Sequence, residues 1–358
     1  MSIPYKILQA YGIDDEVRVE PSGSGHIHRT YLALCNPQPL ILQQINHRVF
    51  PAVDQLMENI CSVTAYIREK LAVSQPHDTI EIVKTQDGRT HLQDEEGNWW
   101  RALSYIGGSH TVDVPSHAGL AFEAGKTLGR FYRLLDGFEA GKLHVVLPRF
   151  HELTFRLEQF RAALVNADAE RKQKAIDLIH LVETEAASLL WLDEWIARGY
   201  LPLRVVHNDP KINNVLLDES DKGICMIDLD TVMPGCLLHD FGDALRTTAN
   251  PAAEDETDLD KVVPSMALFQ AYAEGFLSQT RSFLTPAEAQ NLHRAPAFLT
   301  FVIALRFLTD YLNNDVYYHI EHPEHNWQRA KAQFALYKGF LAREPEMKRF
   351  IEKTLNGY

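Results

Sequence analysis

The sequence predicts an α+β fold of two lobes: a small five-stranded antiparallel sheet with one main helix, then a larger and mainly helical lobe. Three observations lead there. Short β-rich runs separated by glycine and proline turns fill the first part of the chain, and a single amphipathic helix interrupts them. Long stretches of helical period dominate the remainder. Within that remainder, 203–230 reads as strand, polar elbow, strand, turn and strand, with acids and amides gathered where the strands end. The lobes divide as 1–106 and 107–358.

Residues 3–10 form a short opening helix, and 16–34 make two strands around Gly23-Ser24-Gly25. Glycines there let the backbone approach phosphates and turn free N–H groups towards negative charge, although G-x-G also makes ordinary hairpins. A third strand, 40–45, carries Gln43 and Gln44. Leu56, Ile60, Val63, Ile67 and Leu71 recur at helical spacing, so 54–71 is an amphipathic helix whose stripe faces a core. A hairpin over 79–92 turns at Asp87-Gly88, and a last strand covers 99–106. Its end, with Tyr105 and Ile106 before Gly107-Gly108, has the flexibility of a hinge. Helical periods then cover 122–135, 150–164, 171–197 (in one piece or several) and 298–312, and Thr285-Pro286-Ala287-Glu288 is a capping box. His319, His322 and His325 suggest a metal set, but Pro323 breaks their spacing and a polar turn between helices is the preferred reading.

Composition narrows the function classes. Lys+Arg 35 against Asp+Glu 48 gives a net charge of −13, which offers no basic surface to nucleic acid or an anionic membrane. No apolar run approaches the ~20 residues of a membrane span, and the first residues lack a basic-then-apolar leader. Cys35, Cys61, Cys225 and Cys236 are scattered without C-x-x-C spacing, as small core residues of a reducing compartment would be. We expect a cytoplasmic protein, monomeric or weakly oligomeric, that binds small molecules.

The chemistry concentrates in 207–230. His207-x-Asp209, then Lys211, Asn214 and Asp228, is the layout that phosphoryl transfer needs: Asp209 orients a hydroxyl and accepts its proton, while Asn214 and Asp228 offer oxygen ligands to Mg²⁺ on nucleotide phosphates. Asn213 competes with Asn214, but the five-residue offset from Asp209 selects Asn214. Lys211 offsets phosphate charge, His207 braces the loop, and Asp230 is a second metal carboxylate, a substrate contact or a turn cap. Arg306, in an otherwise apolar helix, needs a partner; an i,i+4 ion pair with Asp310 is the favourite on physical grounds.

H-N-D-P-K-I-N-N resembles the catalytic loop H-x-D-x-x-x-x-N of kinases, and M-I-D-L-D stands where protein kinases carry their metal-binding D-F-G; no A-P-E follows. This form is similar to the aminoglycoside phosphotransferase and choline kinase superfamily. Within it, S-G-H-I, I-L-Q-Q-I-N, P-L-R-V-V-H-N-D, I-D-L-D-T-V-M-P-G, D-F-G-D-A-L-R, R-F-L-T-D-Y-L and D-V-Y resemble the N-acetylhexosamine 1-kinases, over nearly the whole chain. The resemblance implies a bilobal protein-kinase-like fold, ATP as phosphoryl donor with Mg²⁺, and transfer to the anomeric O1 of N-acetylglucosamine or N-acetylgalactosamine. It implies that Gly23, Ser24, Gly25, Gln43, Gln44, Tyr105 and Ile106 line the nucleotide, and that Arg306 and Tyr317 bind sugar. His28 stands where this family's asparagine is expected, beside the substrate. Gln43-Gln44 replaces the strand lysine that grips phosphates in protein kinases. Two alternatives follow: a kinase for another sugar, amino alcohol or aminoglycoside, and a silent kinase-shaped binding protein. The intact set Asp209, Asn214 and Asp228 argues against the second.

Overall fold

The computed structural model describes residues 3–14, 16–22, 27–71 and 79–357. Six strands build the first lobe: β1 (Val19–Pro21), β2 (Arg29–Ala33), β3 (Leu40–Ile45), β4 (Ile82–Val83), β5 (His91–Gln93) and β6 (Trp99–Ser104). Every pairing is antiparallel, in the order β1-β2-β3-β6-β4, with β5 also on β6. The described residues hold six strands against the five expected; the hairpin over 79–92 already implied two, and they form as the short β4 and β5. β4 pairs with Leu103 and Ala102, and β5 with Arg101, Trp100 and Trp99, so the two lie end to end along one edge of β6. The sheet is therefore five strands wide.

Side-chain alternation gives the sheet two apolar faces. Leu42, Trp100 and Ala102 pack with Ile7, Leu8 and Tyr11 of helix α1 (Tyr5–Ala10) and its exit on one side. Ile45 and Leu103, on the other, join the main core with Leu56, Met57, Ile60, Val63 and Ile67 of α2 (Val53–Lys70). That helix is the expected amphipathic one. Asn59 on α2 donates to the carbonyls of His144 and Val232 (2.8 and 2.9 Å), pinning the first lobe to the second.

The second lobe is built on α3 (Ala118–Leu134), which is packed closely on α9 (Met266–Thr280). Between them, in chain order, come β7 (Ser109–His110, before α3), α4 (Leu153–Asn166), α5 (Ala169–Lys174), α6 (Ile176–Leu189), α7 (Trp191–Ala197), β8 (Arg204–Val206), β9 (Val215–Asp218), β10 (Gly223–Met226), β11 (Met233–Gly235) and α8 (Leu237–Thr248). The stretch 171–197 is thus three helices. The chain bends at Ala175 and at Leu190, whose φ −64 and ψ −11 stay near helical values, so neither bend has a proline or glycine to announce it. Strands β9 and β10 form a hairpin with β7 at its edge, and β8 pairs with β11.

Helix α10 (Pro286–Asn291) opens with the expected capping box, in which Thr285 and Glu288 bond reciprocally. It leads into α11 (Ala295–Leu312), which is buried on nearly every side by α8, α4 and α12 (His325–Leu355). Residues 286–312 are long and apolar enough to cross a bilayer, contrary to the reading above, but an 18-residue window within them is 89% buried inside the protein. All four cysteines are free, Cys225 and Cys236 within the core.

Helices α3 and α9 touch backbone to backbone. A Cβ on Gly125 would stand 2.1 Å from the Tyr272 carbonyl oxygen, and one on Gly275 2.1 Å from that of Phe122. Gly125→Ala is expected to cost about 2–3 kcal/mol by overpacking, read as a lower urea midpoint. Gly141, with nothing within 4 Å of a built Cβ, is the control position. An unshifted midpoint for Gly125→Ala would mean the two helices part without cost.

Candidate active site

The elbow after β8 hangs from one carboxylate. The backbone N–H groups of His207 and Asn208 donate to the two oxygens of Asp240, both at 2.7 Å, and the Tyr132 hydroxyl adds a third bond at 2.8 Å. Asp240 is wholly buried at the start of α8, and burial, opposed by His207 and these donors, pushes its carboxyl up to about 6. Asn208 adopts φ 65, a conformation asparagine tolerates, and its amide donates to the Thr231 carbonyl at 2.9 Å. His207 braces the elbow as expected: Nε2 donates to the Ile227 carbonyl at 2.9 Å. On the far side His151 Nε2 donates to the Asn208 carbonyl at 3.0 Å.

With the backbone held elsewhere, the Asp209 side chain projects from the elbow towards Lys211 and Asn214. Lys211 Nζ stands 3.2 Å from it, and Asp209 raises the lysine pKa. Asn214, on the short turn before β9, donates its amide N–H to the Asp209 backbone carbonyl (2.8 Å) and carboxylate (3.3 Å), which aims its amide oxygen away from both. Asn213 instead reaches towards Asp113 at 3.4 Å, so the geometry favours Asn214 as the five-residue offset did. Asp228 lies two residues beyond β10 in the left-handed region, φ 59 and ψ 59. The Ile227 N–H donates to the Asn214 carbonyl (2.9 Å), which brings the neighbouring Asp228 beside Asn214. Asp228 remains open to solvent. The protein packed around it, with the charges of Asp230 and Asp209, pushes its pKa up. Among the described residues no cation pairs with it.

Asp230, expected as a metal carboxylate, substrate contact or turn cap, is engaged by the sheet lobe. It is buried, and its two oxygens accept the forked guanidinium of Arg101, with Nη2 to Oδ2 at 2.7 Å. His28 Nε2 also donates to Oδ2, because Nδ1 is occupied in accepting the Asn46 N–H at 3.0 Å. Despite burial, Arg101 and then His28 hold the Asp230 carboxyl far below its usual range. His28, Asp228 and Asp230 bring ligand-type atoms within 4.8 Å of one another, but only Asp228 keeps its carboxylate uncommitted.

The glutamine pair divides. Gln43 faces α2, accepts from Arg101 Nε at 2.9 Å and donates to Thr30 at 3.0 Å. Gln44, one residue on, points to the opposite face with Leu42, which removes it from the nucleotide side; strand alternation is the reason. The last strand stops at Ser104, two residues short of the expected 99–106, and Tyr105 and Ile106 follow it as irregular chain, with Tyr105 38% exposed and the Ile106 carbonyl accepting from Ser109 Oγ. Gly23, Ser24 and Gly25 lie outside the described residues.

Arg306 does not pair with Asp310. Asp310 accepts the N–H groups of Tyr317 and Tyr318 and the Asn326 amide, each at 2.9 Å, because the chain turns back over the end of α11. The Arg306 guanidinium lies instead among the rings of Phe150 (5.0 Å), Tyr318 (5.6 Å) and Tyr317 (5.9 Å). His325 opens α12 and spends both ring nitrogens, on Asp255 (3.0 Å) and on the Glu321 N–H (3.1 Å). A cavity of about 500 Å³ lies behind the elbow, walled by Phe150, His151, Asn208, Pro234 and His239; Asp209 is not on its wall.

Three residues of this arrangement escaped the sequence reading: Arg101, Asp240 and His151. Arg101 left a signal, a lone charge in the apolar strand W-W-R-A-L. Asp240 stands in D-F-G at 240–242, which here supports the loop and is remote from Asp228 in role.

A family model described as the phosphotransferase enzyme family matches residues 18–277. Among solved structures the chain is similar to an ethanolamine kinase from Plasmodium vivax, with a TM-score of 0.57 and 10% identity over 89% of this chain and 83% of that one. It is similar to a spectinomycin phosphotransferase solved with ADP and spectinomycin (TM-score 0.54, 12% identity, 98% and 96% covered). It is also similar to choline kinase from Streptococcus pneumoniae (TM-score 0.53, 12% identity, 94% and 96% covered). At these identities the likeness is one of fold.

His151 makes the elbow sensitive to acid. Burial, only partly offset by Asp243, pulls its pKa from 6.5 down to about 4. In the unfolded chain the ring protonates first, so stability present above pH 6.5 is lost as pH falls towards 4. The difference is about 3 kcal/mol. Urea unfolding of His151→Gln should show a shallower loss between pH 7 and 4 than the parent by roughly this amount; parallel curves would assign the acid sensitivity elsewhere.

Proposed function

The chain belongs to the phosphotransferase enzyme family, and from that premise we propose that it is an ATP- and Mg²⁺-dependent kinase of small-molecule hydroxyls. The acceptor we favour is the anomeric O1 of N-acetylglucosamine or N-acetylgalactosamine, giving the sugar 1-phosphate. One observation carries the reading: the Asp209 carboxylate projects from a backbone-anchored elbow and meets Lys211 and the Asn214 amide, with Asp228 close enough to act on it by charge. We take 1–106 as the nucleotide lobe and 107–358 as the catalytic lobe, with the nucleotide at the Tyr105–Ile106 segment. The likeness to structures solved with ADP supports ATP as donor.

Asp209 accepts a hydrogen bond from the acceptor hydroxyl, orients its oxygen towards the γ-phosphorus and takes the proton late, since a loose transition state asks little base strength. Lys211, already drawn to Asp209, offers its charge to the transferred phosphoryl group. Asn214 and Asp228 fit Mg²⁺: a free amide oxygen and an unpaired carboxylate are hard donors, and Asp228 is crowded by negative charge. The ion, when bound, neutralises charge on the phosphate oxygens. Arg306, with no carboxylate partner among the described residues, and Tyr317 are the sugar contacts we propose. The hexosamine itself is supported by the order and spacing of the sequence blocks.

ADP release with Mg·ATP should be highest on N-acetylglucosamine or N-acetylgalactosamine in a panel with glucose, galactose, choline and kanamycin. Product phosphorus should couple to the anomeric proton. Turnover on another member keeps the mechanism and moves the substrate; none, with ATP bound, favours a silent binding protein. Asp209→Asn should retain ATP binding while kcat falls by ~10²–10⁴. Near-normal kcat would falsify the role of Asp209.

A further inference from the structure

Resting on the kinase reading, we propose that Arg101 is a positioning residue that supplies what the missing strand lysine cannot: a cationic link from the sheet lobe that fixes the metal-side carboxylate Asp228. Arg101 stands in the middle of β6, paired with Gln43 at the position facing the catalytic hairpin, and is 2% exposed. Its Nε donates to Gln43, its two terminal nitrogens to the two oxygens of Asp230, and Nη1 lies 3.9 Å from the Met57 sulfur on α2. One side chain thus ties β3, β6 and α2 to the turn that follows the hairpin. With Gln43 and Asp230 taking Nε and both terminal nitrogens, it acts through Asp230 and not on phosphate.

The object of this hold is two residues away. Asp228 sits at φ 59 and ψ 59, in the left-handed region that aspartate adopts more readily than most residues but that still carries a small cost. The short turn Leu229–Thr231 follows at once, and Asp230 is its central residue. Fixing both Asp230 oxygens against the fork, with His28 as a second donor to Oδ2, fixes the turn and with it the direction of the Asp228 carboxylate. A lysine at 101 would supply the charge without the planar fork or the separate Nε bond, so charge and geometry can be separated by substitution.

The competing account is that Arg101 only cancels the buried charge of Asp230. Three full-length variants decide: Arg101→Lys, Arg101→Met, and the double variant Arg101→Met with Asp230→Asn, which leaves no unpaired buried charge. The readouts are the Mg²⁺ concentration for half-maximal ADP binding by calorimetry and hydrogen exchange of the 228–232 amides; neither needs turnover, so they stand even if the panel of acceptors is silent. If Arg101 positions Asp228, the double variant folds with a near-parental melting temperature. It nonetheless requires at least ten-fold more Mg²⁺ and exchanges its 228–232 amides at least ten-fold faster, and Arg101→Lys shows the same two changes. Parental Mg²⁺ dependence and exchange in the double variant, with defects confined to Arg101→Met, would overturn the proposal in favour of charge cancellation. Parental values in Arg101→Lys would likewise overturn the role of the fork.

Discussion

A carboxylate taken out of water must find donors inside the protein, and Asp230 and Asp240 meet that demand from different parts of the chain. Asp240 draws on two peptide N–H groups and a tyrosine hydroxyl, all within the helical lobe. Asp230 draws on Arg101 and His28, both from the sheet lobe. One buried acid therefore shapes the catalytic elbow, and the other seats the sheet over it. Asn59 of α2, bonded to the carbonyls of His144 and Val232, holds the same seam closed a short distance away. Removing either member of a buried ion pair leaves the other charge stranded, a loss of about 3–5 kcal/mol in proteins generally. Geometry enforced at that cost is hard to lose by drift.

The three acids of the cleft differ in what surrounds them, and that difference separates their chemistry. Asp230 has its charge met internally by Arg101 and His28. Asp209 is met by Lys211 and by the Asn214 amide and keeps part of its surface in solvent. Asp228 has no cationic partner among the described residues and feels the repulsion of both others, so it is the position most relieved by an added cation. Identical side chains thus acquire separate tasks through their neighbours alone.

Much of this was legible because it is local. Asp209, Lys211, Asn214 and Asp228 fall within 20 residues, and strand–turn–strand geometry brings such positions together without help from the rest of the fold. The α2 stripe and the Thr285 capping box were legible for the same reason. The misses involve long separations or the choice of a face. Arg101 and Asp230 lie 129 positions apart. Gln43 and Gln44 are equivalent on paper until one knows that α1 covers one face of β3 and α2 the other. The Arg306–Asp310 pairing obeyed helix spacing, but Asp310 had better donors in the peptide groups of the returning chain.

Asp240 grips the elbow by its peptide N–H groups, and every residue except proline offers the same N–H. These two anchor bonds therefore do not depend on which side chains stand at 207 and 208, although His207 and Asn208 add side-chain braces of their own. In evolutionary terms the anchor and the chemistry are decoupled: the residues that meet an acceptor can be exchanged while the backbone that presents them stays in register. A scaffold of this kind can change substrate by a few side-chain replacements without renegotiating its fold, which makes it a practical starting point for redirecting acceptor choice in the laboratory.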